Sequence, residues 1–288
     1  IIAYPFLMAM SLLPFPLLYL LSDFLFFMLY YVFGYRKKVV YYNLKLSFPE
    51  KEEYEILQVR KQFYKHLSDL ILETIKGFTI SKKQLLKRVL IESVPMKEAA
   101  DNNKSILLLL GHYGNWEWGG QCASIAQRHQ IHIVYHQLSN SSFDKLFYKS
   151  RARFGAHLSK MEEVFRRLIQ LRGELTATCL VADQNPDPNT AYWAQFLHRK
   201  TAFFQGPAKI ARKLDTPVFF ASMQKIKRGY YTLVPTLITD TPKDMTEEMI
   251  LDCYIQKLEQ DINKQPAYWL WSHRRWKHKY EDYASVNK

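Results

Sequence analysis

Five short apolar runs constrain this chain more than anything else in it. They are SILLLL (105–110), IHIVYH (131–136), TATCLVAD (176–183), PVFFASM (217–223) and YYTLVP (230–235). Runs of this length, rich in Leu, Ile, Val and aromatic residues, read as buried strands. Helical patterns lie between most of them, at 115–128, 144–154, 161–172 and 203–214, and a last helix is expected at 246–264. That alternation predicts an α/β fold with a mainly parallel central sheet flanked by helices. Before residue 104 the texture differs. Residues 39–77 are helical in character, with a turn at SFPE (47–50) where Pro49 and the acidic residues after it suit a helix start, and 81–103 reads as shorter helices.

The first 34 residues carry one charge, Asp23, and three prolines, Pro5, Pro14 and Pro16. Pro14 and Pro16 predict a break in any helix there. A helix ending at Phe15 rises only about 22 Å, short of the roughly 30 Å hydrocarbon core of a bilayer. The sequence opens without methionine, so Ile1 is expected to lie inside a spanning helix that begins earlier. Residues 17–34 read as a second apolar helix, in or under the membrane interface. YRKK (35–38) follows at once, as suits the cytoplasmic side. The stretch is too long for a cleavable signal peptide and lacks a small-residue cleavage site. The expected division is a membrane anchor and interfacial helix at 1–38 and a cytoplasmic domain at 39–288.

A formal net charge of +13 points to anionic partners, nucleic acid or an anionic membrane surface among them. WLWSHRRWKHK (269–279) interleaves aromatics and cations, a pattern of nucleic-acid binders and of membrane interfaces. The apolar N-terminal stretch favours the membrane, and no nucleic acid is expected. Within that run Arg274 and Arg275 are either forked phosphate ligands or a basic patch at a helix end. The three cysteines, Cys122, Cys179 and Cys253, are far apart and fit no disulfide or zinc spacing, which suits a reducing compartment. On a strand, His132 and His136 would stand about 13 Å apart, too far to share an ion. No metal is implied, and no glycine-rich nucleotide loop is present.

GHYGNWEWGG (111–120) follows the first strand-like run. In α/β folds ligands gather at the carboxyl ends of strands, where His112 falls. Gly111 and Gly114 permit a tight turn, and a helix starting near Gly114 or Asn115 offers free N–H groups to negative charge. On one regular helix His112 and Glu117 would stand about 140° apart. With His112 on the turn and Glu117 in the first helical turns they can meet. Glu117 would then accept from one ring nitrogen and leave the other free to take a proton. There is no G-x-S-x-G elbow, and Cys122 falls inside the helix, so a general base acting on a substrate hydroxyl is preferred to a covalent nucleophile. Asp183 ends a strand and is either a turn cap or a group that binds Arg151 or orients substrate. Arg151 and Arg153 sit near a helix end, either complementing its dipole or meeting a phosphate or glycan.

GHYGNWE after a strand resembles the H-x4-D/E motif of glycerolipid-type acyltransferases, and more closely the lipid A late acyltransferase family. NLKLSFPE (43–50), VADQNP (181–186) with GPAKIARKLDTPVFF (206–220), and QPAYWLWSHRRWK (265–277) resemble that family's other blocks in matching order. The resemblance implies an enzyme on the cytoplasmic face of the inner membrane. It implies transfer of an acyl chain from acyl carrier protein to a hydroxyl on an acyl chain of a lipid A precursor, a phosphorylated glucosamine disaccharide. No cofactor is expected beyond the carrier's phosphopantetheine. On this reading His112 is the base, Glu117 its partner, Asn115 a supporting residue, and Arg151 and Asp183 match a family arginine and aspartate near the site. The family's glycine-rich stretch is replaced here by NPDPNTAYWAQF (185–196), which leaves another glycolipid or an aminolipid open as acceptor. A basic, membrane-anchored binding protein without catalysis is the rival class; it predicts indifference to Glu117→Ala.

Overall fold

The computed structural model describes residues 3–92 and 94–283. Ile1, and with it the expected origin inside a spanning helix, lies outside them. Four helices come first: α1 (Ala3–Leu12), α2 (Phe15–Phe27), α3 (Lys37–Ser47) and α4 (Glu53–Lys76). The chain breaks between α1 and α2 where the prolines predict. Pro14 is extended (φ −63°, ψ 151°), and Pro16 sits in the first turn of α2, where no intrahelical hydrogen bond is lost. A π-helical turn, Met28–Val32, prolongs α2.

Among the described residues, Phe15–Val32 is the one helical stretch long and apolar enough to cross a membrane, by length and composition. Its few polar residues form a seam. Ser22 Oγ donates to Asp69 of α4 (2.8 Å), the Tyr19 hydroxyl donates to Glu73 of α4 (2.8 Å), and Asp23 pairs with Arg228 (2.7 Å). Away from that seam Leu17, Leu20, Phe24 and Phe27 are exposed.

Next come α5 (Lys82–Arg88), β1 (Val89–Ile91) and α6 (Val94–Asp101), so the segment expected to be helical alone contains a strand. The predicted alternation follows, with one strand, β4, that was not expected: β2 (Ile106–Leu110), α7 (Trp116–Ala126), β3 (Gln130–Tyr135), α8 (Ser141–Ala152), β4 (His157–Lys160), α9 (Val164–Gln170) and β5 (Thr176–Val181). β6 (Tyr192–Phe196) and β7 (Arg199–Phe203) form a separate antiparallel hairpin. The chain continues through α10 (Gly206–Leu214), β8 (Val218–Lys227), β9 (Tyr230–Thr239) and α11 (Glu247–Lys264).

The main sheet has seven strands in the order β1-β9-β8-β2-β5-β3-β4, and every neighbouring pair is parallel except β8–β9. β2 is central, and all five of its residues are buried. Leu107 and Leu109 enter the core on one face with α4, α10 and α11; Ile106, Leu108 and Leu110 enter the core on the other face with α7. A strand covered on both faces has no polar side to show, which is why it reads as an unbroken apolar run. β2 and β5 pair in register, Leu110 opposite Val181. His112 and Asp183, each two residues further on, therefore leave the sheet side by side.

Candidate active site

The turn between β2 and α7 is built by exclusion of side chains. Gly114 has φ +62°, and a Cβ there would meet the Met223 carbonyl oxygen at 2.0 Å; a Cβ on Gly111 would meet Leu258 at 2.5 Å. At Gly114, where the φ is positive and the neighbour is backbone, only glycine allows the chain to press against β8. Asn115 then caps α7: its Oδ1 accepts from the Trp118 N–H (3.0 Å), and its Nδ2 donates to Glu73 (2.7 Å). A strap from near the C-terminal end closes the turn. The Gly114 N–H donates to the Tyr268 carbonyl (3.0 Å), the Leu270 N–H donates to the His112 carbonyl (3.1 Å), and Tyr113 and Trp269 form an isolated antiparallel bridge.

His112 meets a carboxylate, and it is not the expected one. Its Nδ1 lies 2.5 Å from Asp183 Oδ1, and its backbone N–H donates to Asp183 Oδ2 (2.7 Å). The Trp269 indole N–H also donates to Oδ2 (2.7 Å). Glu117 instead takes both its hydrogen bonds from Arg151, Nε to Oε2 at 2.9 Å and Nη2 to Oε1 at 2.5 Å. Glu117 lies in the first turn of α7 as expected, but its carboxylate is taken by Arg151 of α8. The expected His112–Glu117 hydrogen bond is thus replaced by two adjacent pairs, His112–Asp183 and Arg151–Glu117. Asp183 is neither a turn cap nor a partner of Arg151.

Electrostatics follow from these partners. Burial pushes the Asp183 carboxyl up, but the His112 ring and the hydrogen bonds from His112 and Trp269 outweigh it and hold it below the usual range. Burial works against the Arg151 cation, and the Glu117 carboxylate overcomes it and raises its pKa. With the Nδ1 proton shared with Asp183, Nε2 carries the lone pair. The Gln184 amide nitrogen lies 3.1 Å from Nε2 and donates to it. Trp116 stands edge-on to the imidazole, ring centroids 4.9 Å apart.

His112, Glu117, Arg151 and Gln184 all line one cleft of about 680 Å³, whose deeper walls are apolar. His136 lines it too. Asn115 is fully buried and supports the turn without reaching the cleft. Arg274 is exposed, and its carbonyl accepts from Asn185 Nδ2 (2.9 Å). Arg275 is no accessible phosphate fork: it is 2% exposed, it donates to Asn185 Oδ1 (3.1 Å) and the Ala202 carbonyl, and it lies over the Phe203 ring. Burial pushes its pKa down to about 10. Among the described residues no group of three or more His, Cys, Asp or Glu side chains is placed to hold a metal ion.

Sequence reasoning missed Glu73, Gln184 and Trp269. Gln184 adjoins the recognised Asp183 and was within reach. Glu73 and Trp269 carry no local signal, because each acts on a turn far away in the chain.

An imidazole backed by a buried carboxylate and lining an apolar cleft is an arrangement able to take up a proton from a bound group. The family model of bacterial lipid A biosynthesis acyltransferases matches residues 2–278. The chain belongs to that family, which indicates an acyltransferase of lipid A biosynthesis. A comparison with curated proteins returns no match.

Proposed function

We propose that this protein transfers an acyl chain from the thioester of acyl carrier protein to a hydroxyl on an acyl chain of a lipid A precursor, with His112 as general base and Asp183 as its orienting carboxylate. The observation that carries this reading is the 2.5 Å contact of His112 Nδ1 with Asp183 while Nε2 faces the apolar cleft. The acceptor hydroxyl displaces the Gln184 amide from Nε2 and gives up its proton there as its oxygen attacks the thioester carbonyl. A carbon–oxygen bond forms, a tetrahedral oxyanion follows, and the carbon–sulfur bond then breaks. The proton held on Nε2 leaves with the thiolate sulfur. Asp183 stays ionised throughout and stabilises the imidazolium.

The oxyanion needs donors. The Gly114 N–H is spent on Tyr268. The N–H groups of Trp116 and Glu117 open α7 and have no partner in their own helix. Arg151, fixed by Glu117, has further N–H groups for the carbonyl or for an acceptor phosphate. Exposed Arg274 is a second candidate for phosphate.

The exposed apolar side of α2, followed by Arg36, Lys37 and Lys38, supports placement at the cytoplasmic face of the inner membrane, with residues 1–38 as the membrane-facing part and anionic lipid as the surface met. The test is an assay of purified protein with acyl carrier thioesters and a tetra-acylated disaccharide acceptor, read by mass spectrometry. His112→Ala is expected to lower turnover by at least about 10²- to 10⁴-fold while the protein stays folded. Near-normal turnover by that variant overturns the reading.

A further inference from the structure

The reaction proposed above brings two hydrocarbon chains to one imidazole. One begins at the thioester carbonyl. The other continues beyond the carbon that bears the attacking hydroxyl. The cleft beside His112 runs beneath α7, between Leu108, Leu110 and Cys179 of the sheet and Gly119, Gly120 and Ala123 of the helix. A second hollow of about 190 Å³ lies on the opposite face of the sheet, between Leu180 and Ala182 on one side and Gly206, Pro207 and Ile210 of α10 on the other. Val134, Met161, Val181 and Phe204 are walls of both.

The topology explains why the two meet. β3 and β5 pair only as far as Ile133 opposite Cys179. Beyond that point the two strands no longer pair with each other, β3 continuing against β4 and β5 against β2, and the residues at this divergence are the ones the two hollows share. Well-packed interiors leave few voids larger than a water molecule. This one exceeds the roughly 150 Å³ of an apolar cavity that takes up benzene, which is room for several carbons of a chain.

We infer that the site is forked: the α7 branch shelters the donor acyl chain, and the α10 branch takes part of the acceptor chain that carries the attacking hydroxyl. The assignment follows size and exposure. The donor chain arrives from a water-soluble carrier and needs the larger shelter. The acceptor chain stays mostly in its lipid layer and inserts only a segment. The inference rests on the acyl-transfer reading above.

Gly206 supplies the test. A Cβ at this position meets nothing within 4 Å, so Gly206→Leu adds bulk at the wall of the α10 branch from an unobstructed Cβ. It is expected to raise KM for the acceptor by about tenfold or more, the scale of a misfitted methylene in an apolar pocket, with KM for the acyl carrier thioester and donor chain-length preference unchanged. Ile210→Phe narrows the same branch and is expected to act alike, which covers a Gly206→Leu protein that fails to fold. Ala123→Leu, in the other branch, is expected to shift donor preference to shorter chains and leave the acceptor KM alone. If Gly206→Leu and Ile210→Phe change donor preference, or leave both KM values at wild type, the fork is overturned while the acyl-transfer reading stands. A wild-type protein that transfers no acyl group sinks that reading, and the fork with it.

Discussion

Two buried carboxyls flank the turn that carries His112, and they have been put to opposite uses. Asp183 faces the imidazole, an indole N–H and a backbone N–H, and it is held below the usual carboxylate range in spite of its burial. Glu73 is as deeply buried, but its oxygens meet only neutral donors: Asn115 Nδ2 (2.7 Å), the Tyr231 hydroxyl (2.7 Å) and the Tyr19 hydroxyl (2.8 Å). Burial raises its pKa, and neither Lys225 nor the tyrosine hydrogen bonds reverse the shift. Burial alone therefore does not set the direction in which a carboxyl's pKa moves. What separates the two is their partners: Asp183 faces an imidazole that can take up a proton, whereas Glu73 meets neutral donors and holds a scaffold together.

The sharpest way to break the comparison is to neutralise each carboxyl in turn. Asp183→Asn keeps the shape but removes the charge that balances an imidazolium, and turnover is expected to fall by about 10²- to 10⁴-fold with circular dichroism unchanged. Glu73→Gln is expected to stay within a few-fold of wild type, and a loss as large as that of Asp183→Asn would erase the distinction. Glu117 stands between these cases. Glu117→Gln leaves the guanidinium of Arg151 without its carboxylate, and chemical denaturation is expected to register a loss of about 1.5–3 kcal/mol, the range for hydrogen bonds to charged groups.

The smallest expected effect is in the pH dependence of stability, and its sign separates the two carboxyls. Glu73 has a raised pKa in the folded state, so folding takes up a proton as pH rises above the ordinary glutamate value of about 4.3. Stability is then lost as pH climbs through the folded pKa, and Glu73→Gln should flatten that limb. Asp183 has a lowered pKa. Its contribution is complete above the ordinary aspartate value of about 3.9 and disappears as pH falls through the folded one. Asp183→Asn should therefore flatten only the acid limb. Thermal melts across pH for the wild type and both variants measure this directly.

Much of the fold was legible in the sequence. β2, β3, β5, β8 and β9 were expected from their apolar runs, as were the helices between most of them. The strands that escaped are those whose cause is remote. β1 is three residues long and exists through pairing with β9. β4, reading HLSK, is an edge strand with little to bury. The β6–β7 hairpin turns at Leu197 and His198, both with positive φ (49° and 64°), where the usual asparagine–glycine signal is absent.

The site divides in the same way. His112 and Asp183 were each visible from their place at the end of a strand. That they belong to each other depends on the register of β2 against β5, which no local spacing records. The short interval between His112 and Glu117 suggested the nearer carboxylate, but Arg151, 34 residues further on, takes it instead.

The strap from Tyr268 to Trp271 has a consequence for biogenesis. On the ribosome His112 and Asp183 emerge long before Trp269, so Asp183 waits for its indole donor, and the turn for its bridge, until residue 269 has been added. A nascent chain released short of Trp269 would carry His112 and Asp183 without the clasp that aligns them.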